Sequence, residues 1–360
     1  TYGFSSGGLM LDAIHRQIER KIDLAGEFYT SLTYVPLLED GLDIRSFNIE
    51  SFFQWGTPED LKDFLQVYES FESMGRKSTE IESNNSTVLL AAGNGARFSN
   101  AGYTTPKASL PLSGKPAWLQ VLNTVRGTGK AVTVCRGSVI DTTLASSHSE
   151  VIELNSVTQG QAESARIGIE RISAKNEPVV IASCDALFPA GHVNNLIGMN
   201  TDLVVWVCKS TAKSDLFPEQ FSWVKVDQNF RVIDLRLKAN PSKDGNWFVM
   251  SGTFTFKDTE IANSYISEII DRDIRVNGEF YVDSAVQIAI ERGEIVMADL
   301  RSDFIGLGTP EEYETFHYWQ RTFHKWASST YDFGKDPMME NGLSPREGNA
   351  VSNEVQNRIN

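Results

Sequence analysis

Residues 1–74 of this chain align with residues 253–326 without a gap. The two segments share identical four-residue blocks 252 positions apart, namely Gly-Glu-Phe-Tyr at Gly26 and Gly278 and Gly-Thr-Pro-Glu at Gly56 and Gly308. Chance matching of apolar helix faces would not place two identical blocks at one offset, so we predict common descent of the two segments. The chain is therefore predicted to contain two copies of one folding unit.

The repeat also predicts how the chain is divided. The segment before Thr253 has no counterpart before Thr1, so the second copy is predicted to be complete and the first partial. The stretch after the first copy is polar, and the end of the chain is rich in Gly, Pro, Asn and Ser. The predicted regions are the C-terminal part of a domain at 1–75, a linker at 76–85, a complete domain at 86–327 and a flexible tail at 328–360.

The composition excludes several classes of partner. With a formal net charge of −14 and a pI near 4.9, the chain lacks the basic surface that nucleic acid or an anionic membrane requires. No apolar run is long enough to suggest a membrane span. The three cysteines have no CxxC spacing, which predicts a reduced, cytoplasmic location. The chain begins at Thr1, as expected of a fragment or a processed product.

Apolar runs alternate with helical stretches in the second copy. The runs that indicate buried strands are STVLLAAG at 86–93, KAVTVCRG at 130–137, EPVVIASCD at 177–185 and TDLVVWVCK at 201–209. Residues 162–172 have a helical pattern, and residues 221–238 alternate around Asp-Gln-Asn as a hairpin does. This order predicts an α/β fold with a Rossmann-like, mostly parallel sheet flanked by helices, and with ligands at the carboxyl ends of its strands.

The stretch LLAAGNGARFSNAGYTTPKASLPLSGKP at 89–116 carries the most specific chemical signal. Gly93 and Gly95 follow a buried strand, where glycines let backbone N–H groups turn toward an anion. Arg97 can fork onto phosphate oxygens, and Lys107 adds a second positive charge. A glycine-rich turn can be only a turn, and the spacing is neither GxxxxGK[ST] nor GxGxxG. Taken together, the pattern predicts a phosphate-binding loop.

This stretch resembles the signature of the sugar-phosphate nucleotidyltransferases, L-A-A-G-x-G-x-R-F followed by P-K-x-x-L-P-L-x-G-K-P. The resemblance extends across 86–320 through further motifs in the family's order, which are TQGQAESA at 158–165, IASCDALF at 181–188, SGTFTF at 251–256 and GEFYVD at 278–283. It implies a nucleotidyltransferase that joins a nucleoside triphosphate to a sugar 1-phosphate and releases pyrophosphate.

The resemblance implies a role for each residue of the loop. Ala92, Gly93 and Gly95 would bind the nucleotide, with the glycine N–H groups cradling the triphosphate. Arg97 would stabilise the β- and γ-phosphates as pyrophosphate departs, and Lys107 would contact the α-phosphate and the attacking phosphate. No general base is required, because the sugar phosphate is already an anion. This agrees with the absence of clustered histidines in the sequence.

The resemblance also implies a base site and a metal site. The TQGQAESA motif looks like the family's base-binding turn, which makes Gly160 and Gln161 nucleotide-binding residues. Gln159 and Gln161 carry amides that could pair with a pyrimidine or a purine, so the base stays open. Asp185 and Asp283 are the implied Mg²⁺ ligands, since Mg²⁺ prefers hard oxygen donors. Each aspartate has a competing interpretation, as a helix N-cap or loop residue.

On the sugar-phosphate side the resemblance implies contacts from Gly252, Glu279 and Lys238. Gly252 would let the sugar approach the backbone, and Glu279 would accept hydrogen bonds from its hydroxyls. Lys238 could equally be an exposed lysine on a strand. The sequence departs from the family pattern here, because Leu237 stands where glutamate is expected and Trp223 where a small residue is common. These departures leave the substrate open.

The first copy lacks these chemical groups. Ser31 stands where the second copy has Asp283, and no glycine loop accompanies it. Residues 1–75 are therefore predicted to be non-catalytic. They are also predicted to pack as a half-domain or to be unstable alone. The leading hypothesis is a Mg²⁺-dependent sugar-1-phosphate nucleotidyltransferase in 86–325. Its alternatives are a cytidylyltransferase acting on a non-sugar phosphate and a non-catalytic, nucleotide-sensing or sugar-phosphate-binding relative. A homo-oligomer is compatible with the sequence, which leaves the oligomeric state open.

Overall fold

The computed structural model describes residues 1–49, 52–75, 83–174, 176–189 and 201–325. It divides the chain into two compact units, Thr1–Phe52 and Phe53–Asn360. Most of the predicted linker and the whole of the predicted tail lie outside the described residues. The domain boundaries proposed from the sequence therefore stay predictions.

The smaller unit is helical in its described part. It contains α1 (Gly7–Glu19) and α2 (Tyr34–Glu39), and Ser6 caps α1 by accepting a hydrogen bond from the Leu9 backbone N–H. Arg16 joins the two helices by donating to the Asp40 carboxylate at 2.5 Å and to the Pro36 carbonyl at 2.6 Å. Polar contacts thus hold much of this unit together.

The larger unit is α/β. Its strands are β1 (Ser86–Ala91), β2 (Pro111–Leu112), β3 (Lys115–Pro116), β4 (Ala131–Cys135), β5 (Glu150–Glu153), β6 (Val179–Ser183), β7 (Ala186–Leu187), β8 (Leu203–Cys208), β9 (Trp223–Val226), β10 (Val232–Arg236), β11 (Asn246–Phe256), β12 (Val296–Leu300) and β13 (Ile305–Gly306). Its helices are α3 (Pro58–Gly75), α4 (Ala96–Asn100), α5 (Ala117–Val125), α6 (Thr142–Ser146), α7 (Gln161–Ile169), α8 (Ala212–Leu216), α9 (Thr259–Asp271), α10 (Ser284–Glu291) and α11 (Pro310–Lys325).

Nine of these strands form the central sheet, in the order β10-β9-β11-β6-β1-β4-β5, with β8 also paired to β11 and β12 to β8. The strands β6, β1, β4 and β5 run parallel, and β12 runs parallel to β8. Strand β11 is antiparallel to its neighbours β6, β8 and β9. The carboxyl ends of β1, β4 and β6 therefore meet at one edge of the sheet, where the sequence predicts the phosphate site.

Both faces of the sheet are covered by apolar side chains. All six residues of β1 are buried, with Leu89 packed in one apolar layer and Leu90 in the other. Helices α5 and α11 contribute to the first layer, and α7, α9 and α10 contribute to the second. A strand buried on both faces is a continuous apolar run rather than an alternating one, which explains the sequence pattern.

The structure confirms the predicted α/β class and the four predicted buried strands, which are β1, β4, β6 and β8. The predicted hairpin at 221–238 is the antiparallel pair β9 and β10. In the described part of the chain, no helix is both long enough and apolar enough to cross a membrane.

Candidate active site

The glycine loop connects β1 to the short helix α4. Gly95 has a φ of 61°, in the left-handed region that glycine adopts readily, and a Cβ at this position would lie 3.2 Å from the Cβ of Lys107. Glycine therefore lets the loop and the Lys107 segment approach each other. A Cβ on Gly93 would meet nothing within 4 Å, so this side of the loop faces open space. The loop has room for a ligand beside Gly93.

An arginine that the sequence did not identify fixes this loop. Arg136 follows β4, the parallel neighbour of β1, and its Nε donates to the carbonyl of Ala92 at 2.8 Å. Its guanidinium also donates to the Asn94 side-chain oxygen at 2.9 Å. These hydrogen bonds tie the glycine loop to the end of β4. An arginine directly after a buried strand is the sequence signal that could have revealed it.

Lys107 and Asp185 form an ion pair beside the loop. The Lys107 Nζ donates to Asp185 Oδ2 at 2.8 Å, and the side chains are 22% and 26% exposed. Ser183, at the end of β6, donates its hydroxyl to the other carboxylate oxygen. The two predicted site residues are 78 positions apart in sequence, and the adjacency of β1 and β6 brings them together.

The ion pair fixes the charge of both partners. Burial alone would raise the pKa of Asp185, but the Lys107 ammonium and the Ser183 hydroxyl hold it at about 2. Burial would lower the pKa of Lys107, yet the Asp185 carboxylate raises it above its usual value. At neutral pH the site therefore holds a carboxylate and an ammonium. Burial raises the pKa of the neighbouring Cys184 to about 11, so its thiol stays protonated.

The second Gly-Thr-Pro-Glu block lies against Asp185. The backbone N–H of Leu307 donates to the Asp185 carbonyl at 2.8 Å. A Cβ on Gly308 would stand 3.3 Å from Asp185 Oδ2, so glycine leaves space for the carboxylate. Strand β13 pairs with β7 directly after Asp185 and positions this block. The sequence identified the block as the end of a domain and did not place it at the site.

The TQGQAESA segment packs tightly against the GEFYVD segment. A Cβ on Gly160 would come within 2.4 Å of the Phe280 backbone, so this crossing requires glycine. The Phe280 N–H donates to the Gln159 carbonyl at 3.0 Å, and the Phe280 carbonyl accepts from the Ala162 N–H at 2.9 Å. Gly160, predicted to bind nucleotide, thus also has a packing role.

The two glutamines of this turn differ in the hydrogen bonds of their side chains. The Gln159 side-chain oxygen accepts from Arg275 at 2.8 Å, and Arg275 also lies 3.8 Å over the Phe280 ring. Gln161 begins α7, is partly exposed, and its side chain has no hydrogen bond among the described residues. Its amide is therefore the one available to a ligand. Arg275 is a second residue that the sequence did not identify.

Asp283 is buried, at 6% exposure, and it precedes α10. The sequence left open whether it caps this helix, but its backbone is helical and its side chain makes no cap hydrogen bond. A buried carboxylate without that role is costly unless a charge or a ligand compensates it. The geometry thus removes the helix-cap interpretation and leaves the carboxylate available for a cation.

Tyr281 lies near three of the predicted site residues, which are Lys238, Glu279 and Asp283. Burial raises its pKa to about 12, with smaller contributions from Glu279 and Asp283, while the Arg97 guanidinium opposes the rise. The Lys238 ammonium lies 5.6 Å over the Tyr281 ring and donates to the Gln220 carbonyl at 3.0 Å. The phenol therefore stands among the predicted sugar-phosphate residues.

Gly252 and Arg97 lie at the same edge. Gly252 interrupts β11 with a φ of 78°, and a Cβ there would be 3.5 Å from the Ser183 Cβ, close to Asp185. Arg97 is exposed on α4, and its charge also acts on Lys107. The structure thus brings the phosphate side and the sugar side of the predicted site together around Lys107, Asp185 and Tyr281.

No group of three or more His, Cys, Asp or Glu side chains able to hold a metal occurs in the part of the chain that the structure describes. The protein offers at most paired carboxylates there. Mg²⁺ commonly binds through one or two carboxylates together with substrate phosphates, so such a donor set fits Mg²⁺ only when a phosphate ligand is present.

Comparison with known proteins agrees with this architecture. Residues 87–220 match the family described as the MobA-like NTP transferase domain, a match that covers less than half of the chain. No curated protein has a matching sequence. The matched segment includes the glycine loop, Lys107 and Asp185.

Solved structures share the fold. The nucleoside-diphosphate-sugar pyrophosphorylase from Vibrio cholerae is similar over 64% of this chain and 98% of its own, with a TM-score of 0.54 and 21% identity. The inositol-1-phosphate CTP transferase from T. maritima covers 69% of this chain and 100% of its own, with a TM-score of 0.51 and 17% identity. The UTP-bound UGPase from Acinetobacter baumannii covers 68% and 95%, with a TM-score of 0.51 and 13% identity. At these identities the likeness establishes the nucleotidyltransferase fold.

Proposed function

We propose that residues 86–325 form a sugar-1-phosphate nucleotidyltransferase that transfers a nucleoside monophosphate from a nucleoside triphosphate and depends on Mg²⁺. The observation that carries the proposal is the Lys107–Asp185 pair at the mouth of a glycine loop, 2.8 Å apart and partly exposed. An ammonium, a carboxylate kept ionised and exposed backbone N–H groups are the parts that phosphoryl transfer needs.

The reaction forms one bond and breaks one. A phosphate oxygen of the sugar 1-phosphate attacks the α-phosphorus, and the bond from that phosphorus to the bridging oxygen of the β-phosphate breaks, so pyrophosphate leaves with the electron pair. Negative charge crowds at the α-phosphorus, where Lys107 neutralises it. Arg97, exposed beside the loop, binds the departing phosphates. No proton has to be removed from the nucleophile.

Asp185 and Asp283 are the residues that would hold Mg²⁺. The metal, when bound, supplies positive charge to the phosphate oxygens. Asp185 is preset for this task, because Lys107 and Ser183 hold its carboxylate ionised and oriented. Asp283 is buried without a helix-cap bond, so a cation would compensate its charge.

Substrate recognition is assigned to the two segments that cross at Phe280. Gln161 has a free amide for the base, and Gly160 fixes the turn that presents it. Glu279 and Lys238 lie close to Tyr281 on the predicted sugar side. At position 237 the family pattern has a glutamate, and Leu237 cannot provide its carboxylate. We therefore propose a substrate that makes no contact with a carboxylate at this position.

The test is pyrophosphate release by the purified full chain with Mg²⁺. Each common nucleoside triphosphate is paired with a panel of sugar 1-phosphates, and also with inositol 1-phosphate and phosphocholine. Release with one sugar 1-phosphate, and its loss in Lys107→Ala, supports the proposal. Lys257→Ala is the matched control, because Lys257 is an exposed lysine paired with Asp202 far along the chain from the loop.

The other outcomes separate the alternatives. Release only with inositol 1-phosphate or phosphocholine would show that the second substrate is a non-sugar phosphate. Nucleotide binding by calorimetry without any release of pyrophosphate would show that the protein is a nucleotide-binding regulator and not an enzyme. Release that survives Lys107→Ala would overturn the assignment of the site itself.

A further inference from the structure

Helix α3 packs on α11, the helix that occupies the same place in the repeat. Both begin at the proline of a Gly-Thr-Pro-Glu block, at Pro58 and Pro310, which are 252 positions apart. At this offset Phe64 corresponds to Phe316 and Phe71 to Phe323. The two helices thus carry the same aromatic pattern.

The ring contacts between the helices are reciprocal. Phe71 lies 5.2 Å from Phe323, its own counterpart, as a residue on a two-fold axis does. Phe64 lies 6.1 Å from Phe323, and Phe71 lies 5.6 Å from Phe316, which are the two symmetry-related forms of one contact. A surface that pairs in this way is self-complementary.

The contact is a buried core rather than a loose association. Phe71, Phe316 and Phe323 are at most 3% exposed, and they belong to the apolar layer that covers one face of the sheet. Trp319 extends the contact by packing on Phe64. Removing α3 would therefore expose a large aromatic surface on α11.

The positions next to the aromatic contact differ between the two helices. On α11, Tyr313 donates its hydroxyl to the Pro111 carbonyl at 2.7 Å, which ties the helix to its own domain. The corresponding position on α3 is Leu61, which is 44% exposed, and Leu65 on the same face is 47% exposed. In a symmetric pair this side of α3 is where a second domain would lie.

We infer that the aromatic face of α11 is a docking surface for the same face of α11 in a second copy of this chain, and that α3 occupies it in cis. Because α3 and α11 belong to one chain, α3 contacts this face intramolecularly and outcompetes a second chain. A second copy binds when α3 loses its aromatic face.

The experiment uses the full chain. Phe64→Asp with Phe71→Asp places carboxylates in the aromatic contact, which α3 must then leave. Sedimentation equilibrium is expected to show twice the wild-type mass, dependent on protein concentration. Adding Phe316→Asp and Phe323→Asp is expected to restore the wild-type mass. Leu61→Asp with Leu65→Asp is the matched control at exposed positions of the same helix and is expected to leave the mass unchanged.

Two results would overturn the inference. One is a folded Phe64→Asp, Phe71→Asp protein that keeps the wild-type mass at the highest concentration. The other is a dimer that persists after Phe316 and Phe323 are also changed, because it would use another surface. If circular dichroism shows that the charged variant does not fold, Phe64→Ala with Phe71→Ala loosens α3 without burying charge and is judged by the same masses.

Discussion

Residues 1–52 and residues 253–304 correspond position by position and yet differ in what surrounds them. Helices α1 and α9 coincide at the offset of 252 positions, and both are capped by the side chain of the preceding residue. The turns after them share left-handed residues, with φ of 84° at Gly26 and 83° at Gly278. The ion pair of Arg20 with Glu39 recurs as that of Arg272 with Glu291. Local geometry is thus nearly the same in the two regions.

Burial and strand formation separate the two regions. Phe280 is 3% exposed, whereas Phe28 at the corresponding position is 49% exposed. Residues 253–256 lie in β11 between β6 and β8, whereas residues 1–4 form no strand. A helix satisfies its own backbone, but a strand needs neighbours for its hydrogen bonds. The same sequence pattern therefore gives helices in both regions and a strand in one.

The largest expected difference between the regions is chemical. Asp283→Ser installs the residue that the first region has at Ser31, and it is expected to reduce pyrophosphate release on the order of 100-fold or more, as loss of a charge-stabilising group does. The reciprocal Ser31→Asp is expected to change nothing, because no phosphate loop accompanies it in the sequence. The measurement is the steady-state rate of pyrophosphate release by both variants, with thermal melts as a control for folding. Full activity in Asp283→Ser would mean that the carboxylate is structural.

The next-largest effect is expected at two aligned phenylalanines, of which Phe280 is buried and Phe28 is half exposed. Phe280→Ala is expected to lower the free energy of unfolding of the larger unit by about 3–5 kcal/mol, as for other large core truncations. Phe28→Ala is expected to stay within about 0.5 kcal/mol of the parent, since its ring is half exposed. Chemical denaturation measures both. Equal losses would show that Phe28 is buried in solution.

A third comparison uses pH. Burial, with help from Arg321, lowers the pKa of His317 to about 4, while the Pro111 carbonyl opposes the shift. As pH falls from about 6.5 to about 4, the unfolded chain binds a proton that the folded chain does not, so about 3 kcal/mol of stability is lost. His317→Leu, which copies Leu65 at the aligned position of α3, is expected to remove this dependence. Unfolding curves of both proteins across this pH range test it, and parallel curves would assign the loss to other groups.

The smallest effect is expected where the regions agree. Gly26 and Gly278 both have left-handed φ, and a Cβ on either would meet nothing within 4 Å. Replacement of either by alanine is expected to cost about 1 kcal/mol through backbone strain alone. Denaturation of the two variants measures the cost in each unit. A much larger loss at one position would reveal a neighbour that the local geometry does not include.

Most of the sheet could be predicted from the sequence, because β1, β4, β6 and β8 are buried on both faces and form continuous apolar runs. The order of the motifs predicted that Lys107 and Asp185 belong to one site, and the structure places them in contact. Arg136 and Gly308 were not predicted. Their roles depend on the adjacency of β4 to β1 and on the pairing of β13 with β7, which no local pattern encodes.

The sequence by itself determined what depends on neighbouring residues along the chain. The helices, the left-handed turns at Gly26 and Gly278 and the glycine loop follow from backbone preferences that each residue carries with it. The tertiary structure alone decided that Phe280 is buried while Phe28 is half exposed, that residues 253–256 form a strand, and that Lys107 and Ser183 hold Asp185 ionised. Burial, strand pairing and pKa depend on groups far away in sequence, so equivalent segments acquire different properties in different surroundings.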